Sequence, residues 1–458
     1  VISGLDGFRT PIIFGLVNIV QLTPGAGGMY CGNCFRDNIL VKELRRQGHD
    51  TLMIPLYLEM TLEEEDATED APLFYNGINV YLDQISKFFR KAPRFIREIT
   101  GARQFLKWTH GRAAKTRAED VGELTLSMLM GESGNQTQEL DDLIRFLKAQ
   151  GHPDVISLSN SMLIGMARRL KQELGCPVVC QLQGEFNYVE SMRPEQKEAV
   201  WKLMAERARD IDLFISPSQY FADLMKEKLE IPNRKFRVIH NGINLDGYEP
   251  SPTIPRPTAL GFFARMCPEK GLDLLVEAFL QIKARNQVDA LELWVGGGCG
   301  PGDEAFVAQL QDKIKQKGWI SDAKFFPNLS REDKQDFLRN LNLLCVPAEE
   351  GEAFGLYTIE ALASGVPLAQ PNHSAFPEII EATQGGVLCD VSSADTLSRD
   401  LEKALLDLKG LREIGTRGRE VVLKDYSAES MAKATIRVYE ELHSGSRPEP
   451  STAPATAA

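Results

Sequence analysis

No stretch of the sequence is long and apolar enough to cross a bilayer, which takes about 20 predominantly apolar residues. Cysteine is scarce: eight in 458 residues is too few for a disulfide scaffold in a chain this long. Most sit in apolar contexts, as Cys180, Cys345 and Cys389 do, where the thiol behaves as a small hydrophobe. A reducing, cytoplasmic setting is expected. A basic excess is also lacking. Lys and Arg number 52 against 64 Asp and Glu, and the net charge of -12 excludes a general nucleic-acid binder. The six histidines show no metal-ligand spacing. One cysteine pair, Cys31 and Cys34, has redox or half-zinc spacing, but no second pair completes a site, so both read as small residues at the start of a packed helix. Asp210-Ile211-Asp212 has the form of a metal-binding Asp-x-Asp, yet it falls between a helix and a strand, where acids are ordinary.

What is present is ordinary soluble composition, 43% hydrophobic and 25% charged, in a chain long enough for two cores rather than one. Arg9 precedes an apolar run over 11–20, followed by small residues, which a signal peptide can resemble. The run is rich in Ile and Val and ends in the Gly25–Gly28 loop, and reads better as a buried first strand over 12–22. A helix over 33–47 and a strand over 51–55 follow. Further strands are expected at 155–158, 178–182, 213–217 and 237–240. Pro250, Pro252, Pro255 and Pro257 then make a linker candidate. The second half restarts with strands at 259–263, 291–295, 323–326, 343–346 and 366–369, and helices at 273–284, 304–317, 331–340 and 358–363. Two α/β halves of this kind imply two Rossmann-like, doubly wound, mostly parallel sheets facing across a cleft. The expected division is an acceptor-binding domain over 11–245 with an insertion at about 60–135, and a donor-binding domain over 246–427. A helix over 428–444 should cross back, and a Pro/Ser/Thr/Ala tail over 445–458 should be disordered.

Two segments carry chemistry. The first runs from Glu352 through Phe354, Gly355, Leu356 and Thr358 to Glu360, after an apolar strand and an acidic loop. Unpaired N–H groups at a helix start attract anions, whereas carboxylates repel a bare phosphate and suit hydroxyl donors. Eight helical residues rise about 12 Å, enough to reach two different hydroxyl groups with a diphosphate between them. An acidic loop before an ordinary helix would look similar; Gly355 and the Gly365-Val366-Pro367 stop weigh against it. The second segment places Arg265 and Lys270 between a strand and a helix, where a planar fork and a point charge can converge on a leaving diphosphate. Two such cations can do what a metal does elsewhere. Gly27 and Gly28 let backbone approach a phosphate, although their spacing is not the dinucleotide fingerprint.

On these residues the chain resembles the family 4 glycosyltransferases of the GT-B fold, a retaining family with many bacterial hexosyltransferases. The likeness covers nearly the whole chain. It is most specific at the Glu-x7-Glu pair Glu352 and Glu360 and at Arg265 with Lys270-Gly271; Asn241-Gly242-Ile243-Asn244 and Pro377-Glu378 are weaker echoes. The resemblance implies that Glu352 contacts the donor sugar and that Phe354, Gly355 and Leu356 lend backbone donors. It puts Thr358 near the phosphate and Glu360 on the ribose. Arg265 and Lys270 would hold the diphosphate, helped by Gly27 or Gly28. No cofactor or divalent metal is implied; the nucleotide sugar, with UDP favoured, is a substrate. Three departures stand out. Gln183-Gly184 replaces a common His-Gly, so Gln183 can bond a donor hydroxyl but cannot titrate. Ala375-Phe376 replaces a Gly-Gly, and Asn244 replaces a hinge Asp. A sugar-nucleotide epimerase or hydrolase, or a binding-only relative, is the alternative reading.

Within an acidic chain, residues 86–118 carry ten Lys and Arg with Glu98 as the one acid, interleaved with five aromatics. Two readings fit. One is a surface meeting anionic lipid or a phosphorylated acceptor, which would make the protein peripheral to a membrane. The other is a helical insertion whose aromatics pack on the N-terminal domain.

Overall fold

The computed structural model describes residues 16–25, 32–58, 64–68, 71–74 and 118–443. The basic segment 86–118 therefore lies outside the described residues apart from Ala118, which opens a helix. Gly27, Gly28, Cys31 and the tail lie outside them as well.

Two six-stranded sheets form among the described residues. The first holds β1 (Asn18–Thr23), β2 (Asp50–Pro55), β3 (Val155–Leu158), β4 (Val178–Gln181), β5 (Leu213–Ser216) and β6 (Phe236–Val238), in the order β2-β1-β3-β4-β5-β6. The second holds β7 (Thr258–Phe263), β8 (Leu291–Gly297), β9 (Ala323–Pro327), β10 (Leu343–Cys345), β11 (Leu368–Pro371) and β12 (Gly386–Cys389), in the order β12-β11-β10-β7-β8-β9. Every neighbouring pair is parallel. Parallel strands are covered on both faces, and β3, β4, β5 and β7 are accordingly buried at every residue. That double burial explains why the strands read as continuous apolar runs. The second sheet's edge strands are less covered: β9 has no buried residue, and β12 only Cys389.

In each sheet the order of connection reverses beside the first strand, between β1 and β3 and between β7 and β10. A crevice opens there outside the carboxyl ends of the strands, which is where open α/β sheets bind ligands.

The chain crosses between the sheets twice, and the two crossings pair with each other. The Ile243 N–H donates to Tyr426 O at 3.0 Å and the Ala428 N–H to Ile243 O at 2.8 Å. The crossing therefore lies within a few residues of Asn241-Gly242, ahead of the proline-rich stretch. Those prolines pack on the second domain, with Arg412 donating to the carbonyls of Ser251 and Pro252 at 3.0 and 3.1 Å. After the second crossing, helix Ala428–His443 buries Met431, Ile436 and Tyr439 against Ile19, Leu40 and Val179 of the first domain.

Candidate active site

The two crevices face one cavity of about 240 Å³. Gly32, Asn33, Gln183 and Asn241 line it from the first domain, and Arg265, Lys270, Glu352, Phe354, Gly355, Leu356 and Glu360 from the second. Residues scattered over more than three hundred positions of sequence are thus brought together by the carboxyl ends of β4, β7, β8 and β10.

The acidic loop turns into helix Leu356–Ala363 at Gly355, whose φ of 83° is the left-handed conformation a side chain disfavours. The turn aims the helix start at the cavity, giving the anion-attracting end that the sequence implied. Thr358 is placed otherwise than expected. It is fully buried and absent from the cavity lining, and its hydroxyl donates to Gly355 O at 2.7 Å, closing the first turn of the helix.

Glu352 forms an ion pair with Lys270 across the cavity wall, and the Tyr357 hydroxyl donates to the same carboxylate at 3.4 Å. Burial, and then the Glu352 charge, push the Tyr357 phenol well above its ordinary pKa, so it remains a donor. Gly271 follows Lys270 at φ 69°, with a Cβ position only 2.1 Å from Pro347 O, so no side chain fits where this loop meets the exit of β10. Arg265 is 63% exposed and held from behind by Asp303, with Nε to Oδ2 at 3.1 Å and Nη2 to Oδ1 at 2.9 Å. The Gly300 N–H donates to the same carboxylate at 3.1 Å. The bond from Arg265 holds the Asp303 carboxyl below its usual range, and the bond to Asp303 raises the Arg265 pKa in turn.

On the first-domain side, Glu185 accepts from the N–H groups of Ser161, Gln183 and Gly184 at 2.6, 2.8 and 2.8 Å. This fixes the loop after β4, and the Gln183 Nε2 is buried at the cavity with no partner among the described residues. A buried unpaired amide costs free energy, which a ligand acceptor would relieve. Gly27 and Gly28 lie outside the described residues; Gly32 and Asn33 are the nearest described residues of that loop to reach the cavity.

Sequence reasoning missed Asp303, Asn33, Asn241, Tyr357 and the glycines Gly297 and Gly298. The run Gly296-Gly297-Gly298 at the end of β8 was the available signal for the last two, since glycine after a strand marks close backbone approach. The discounted Asp-x-Asp motif makes structural contacts, and of the Cys31–Cys34 pair only Cys34 lies among the described residues. Asp210 pairs with Arg168 at 3.1 Å, and Asp212 pairs with Lys171 at 2.6 Å and caps the Val178 N–H at 2.8 Å. Cys34 is buried.

The domains are also joined beside the cavity. Glu378 accepts from the N–H groups of Gln219 and Tyr220, at 2.9 and 3.3 Å, at the start of helix Gln219–Leu229, and lies 3.2 Å from His240 Nε2. Ser218 Oγ donates to Ala353 O and Asn187 Nδ2 to Gly351 O, both at 2.7 Å.

Two facing doubly wound sheets with a polar cavity at their shared crevice define a two-domain α/β protein of GT-B architecture. Residues 250–421 match the model of the group 1 glycosyl transferases, and residues 120–246 that of glycosyltransferase family 4. The chain belongs to the family 4 glycosyltransferases of the GT-B fold. It is 25% identical over 231 residues to a lipopolysaccharide 1,2-N-acetylglucosaminetransferase of Salmonella typhimurium, covering 48% of this chain and 59% of that one. It is 30% identical over 214 residues to a D-inositol 3-phosphate glycosyltransferase of Gordonia bronchialis, covering 44% and 46%. The chain spans about half the length of the curated relatives it matches. Among solved structures, the HepE protein of Anabaena in complex with UDP superposes with a TM-score of 0.65 at 15% identity, over 93% of this chain and 100% of that one. Sucrose-phosphate synthase from Thermosynechococcus elongatus gives 0.67 at 16%, over 94% and 100%. These two share the fold.

Proposed function

We propose that the protein is a retaining, metal-independent glycosyltransferase that moves a hexose from a nucleoside diphosphate sugar, with UDP as the nucleotide, to an acceptor hydroxyl. The observation that carries this reading is the convergence of Arg265, Lys270, Glu352 and Glu360 on one cavity beside a helix start. Names of relatives support it, and one neighbour has been solved with UDP-glucose.

Each group then has a role. Glu352 accepts from donor-sugar hydroxyls, and the Gln183 amide bonds another polar group of that sugar. Glu360 takes the ribose. The start of helix Leu356–Ala363 meets the phosphate with backbone donors from Gly355 and Leu356. Arg265 and Lys270 face the diphosphate. As the bond from the sugar C1 to the phosphate oxygen breaks, negative charge grows on that oxygen, and two fixed cations stabilise it more than they stabilise the ground state. The acceptor oxygen bonds to C1 on the face the diphosphate leaves, and its proton passes to the departing phosphate oxygen. Nothing in that balance requires a metal or a redox partner. The Lys270–Glu352 ion pair also holds both side chains in place before a ligand arrives, which lowers the reorganisation required on binding.

The acceptor is a hydroxyl compound, and the protein would act in the cytoplasm. Among the described residues, no helix is long and apolar enough to cross a membrane. The test is a panel of nucleotide sugars and sugar or polyol acceptors, with EDTA present and the product anomer read by NMR. Transfer with the donor's anomeric configuration preserved is the expected result. Inverted product, or loss of activity in EDTA, would refute the mechanism, and donor turnover with no acceptor would favour a hydrolase or epimerase.

A further inference from the structure

Glu360 is committed on one side before any ligand arrives. Its Oε1 accepts from the Tyr248 hydroxyl at 2.9 Å and from Lys334 Nζ at 2.9 Å. All three side chains are buried, with Glu360 at 7%, Lys334 at 3% and Tyr248 at 2% exposure. Yet Glu360 also lines the main cavity. An ionised carboxylate has two oxygens that only accept, so donors stacked on Oε1 turn Oε2 into the oxygen available to a ligand. A buried carboxylate needs donors to offset its lost solvation, and Lys334 and Tyr248 supply them on one side.

Tyr248 is itself held. The Arg331 guanidinium lies over its ring, 5.7 Å from the centroid, and donates to the carbonyls of Asn244 and Asp246 at 3.1 and 3.0 Å. Burial, and then the Glu360 charge, push the phenol well above its ordinary pKa, which keeps the tyrosine a donor across the working range. Neither Lys334 nor Tyr248 lines the cavity between the sheets; with Glu360 they line a smaller one of about 40 Å³.

Resting on the donor-site reading above, we infer that Lys334 and Tyr248 are positioning residues for sugar recognition in the nucleoside. They hold the Glu360 carboxylate turned so that Oε2 takes the ribose hydroxyls, and through it they set the preference for a ribonucleotide over one lacking those hydroxyls.

The test compares UDP with 2′,3′-dideoxyuridine diphosphate by calorimetry on wild type, Lys334→Met and Tyr248→Phe, with thermal melts to check folding. Wild type should prefer UDP by roughly tenfold or more, as expected for hydrogen bonds to a charged acceptor. Lys334→Met should cut that preference to about threefold or less, by weakening UDP while leaving the dideoxy compound within about threefold of wild type. A purely structural lysine would not give that split. If Lys334→Met fails to fold, Tyr248→Phe, which keeps the ion pair and the ring, carries the test with a smaller fall of about twofold to threefold in the same preference. Variants that lose affinity for both nucleotides equally, or keep the full preference, would overturn the inference. So would a wild type that binds both compounds equally. A wild type that binds neither would overturn the donor-site reading and this inference with it.

Discussion

At the level of single residues, Asp303 commits the Nε edge of Arg265 and leaves the rest of the guanidinium's five donors for a ligand. A side chain 63% exposed would otherwise sample many rotamers, and fixing them costs binding free energy. Asp303→Ala should therefore weaken nucleoside diphosphates by about fivefold to tenfold while leaving uridine unaffected, measured by calorimetry. Loss of uridine binding as well would mean that Asp303 shapes the loop rather than the arginine. The same geometry explains what the sequence could and could not reveal. Lys270 and Glu352 were legible because each is a charge beside a glycine, Gly271 and Gly351, at a strand-to-helix turn; Arg265 and Glu360 were legible from their spacing to those two. Their partners were not. Asp303 lies 38 positions from Arg265, Lys334 lies 26 from Glu360, and Tyr248 lies 112 from Glu360, so no local spacing connects them. Thr358, expected near the phosphate, has its hydroxyl bonded inside the helix, to Gly355 O.

At the level of elements, loops are held in place by groups from their neighbours. Gly271 combines a φ of 69° with backbone contact to Pro347, so Gly271→Ala should destabilise the chain by more than about 1 kcal/mol by denaturant titration. Glu378 fastens the second domain to helix Gln219–Leu229. Burial pushes its carboxyl up, but bonds from His240 and from the N–H groups of Gln219 and Tyr220 outweigh this and hold it below the usual value. A carboxylate whose folded pKa is depressed stabilises the fold above its unfolded value, and that contribution fades as pH falls through the folded one. Glu378→Ala should therefore cost roughly 1.5–3 kcal/mol at neutral pH. The gap to wild type should shrink as pH drops below about 4.3. A gap independent of pH would show that packing, not charge, is what Glu378 contributes. Helices and strands in the second half were legible because burial on both faces writes apolar runs. β12, a four-residue edge strand that opens on Gly386, was not picked out, although β9 at the other edge was.

At the level of the whole molecule, the first domain is not a continuous stretch of chain. Helix Ala428–His443 supplies Met431, Ile436 and Tyr439 to its core, and Gln181 of β4 donates to the Tyr439 hydroxyl at 3.3 Å. Each such side chain contributes about 1.5–3 kcal/mol by burial. A chain ending at Ser427, which keeps Tyr426 in the second domain's core, should therefore lose the first domain's cooperative melting transition while the second domain melts as before. The two-domain organisation was legible from two α/β runs divided at 245/246; the proline-rich stretch, read as a linker candidate, lies just beyond that division. Prolines favour a linker in the abstract; here Arg412 and the second domain's surface hold them down.

The central claim is that the cavity between the sheets binds a nucleoside diphosphate through fixed cations. Calorimetric titration with UDP, GDP and ADP in EDTA, on wild type and on Arg265→Ala, tests it most directly. The account predicts that UDP binds without metal and that Arg265→Ala weakens it by about tenfold or more, the usual scale for a charge-assisted bond. Binding of none of the three nucleotides, or binding that Arg265→Ala leaves unchanged, would contradict it.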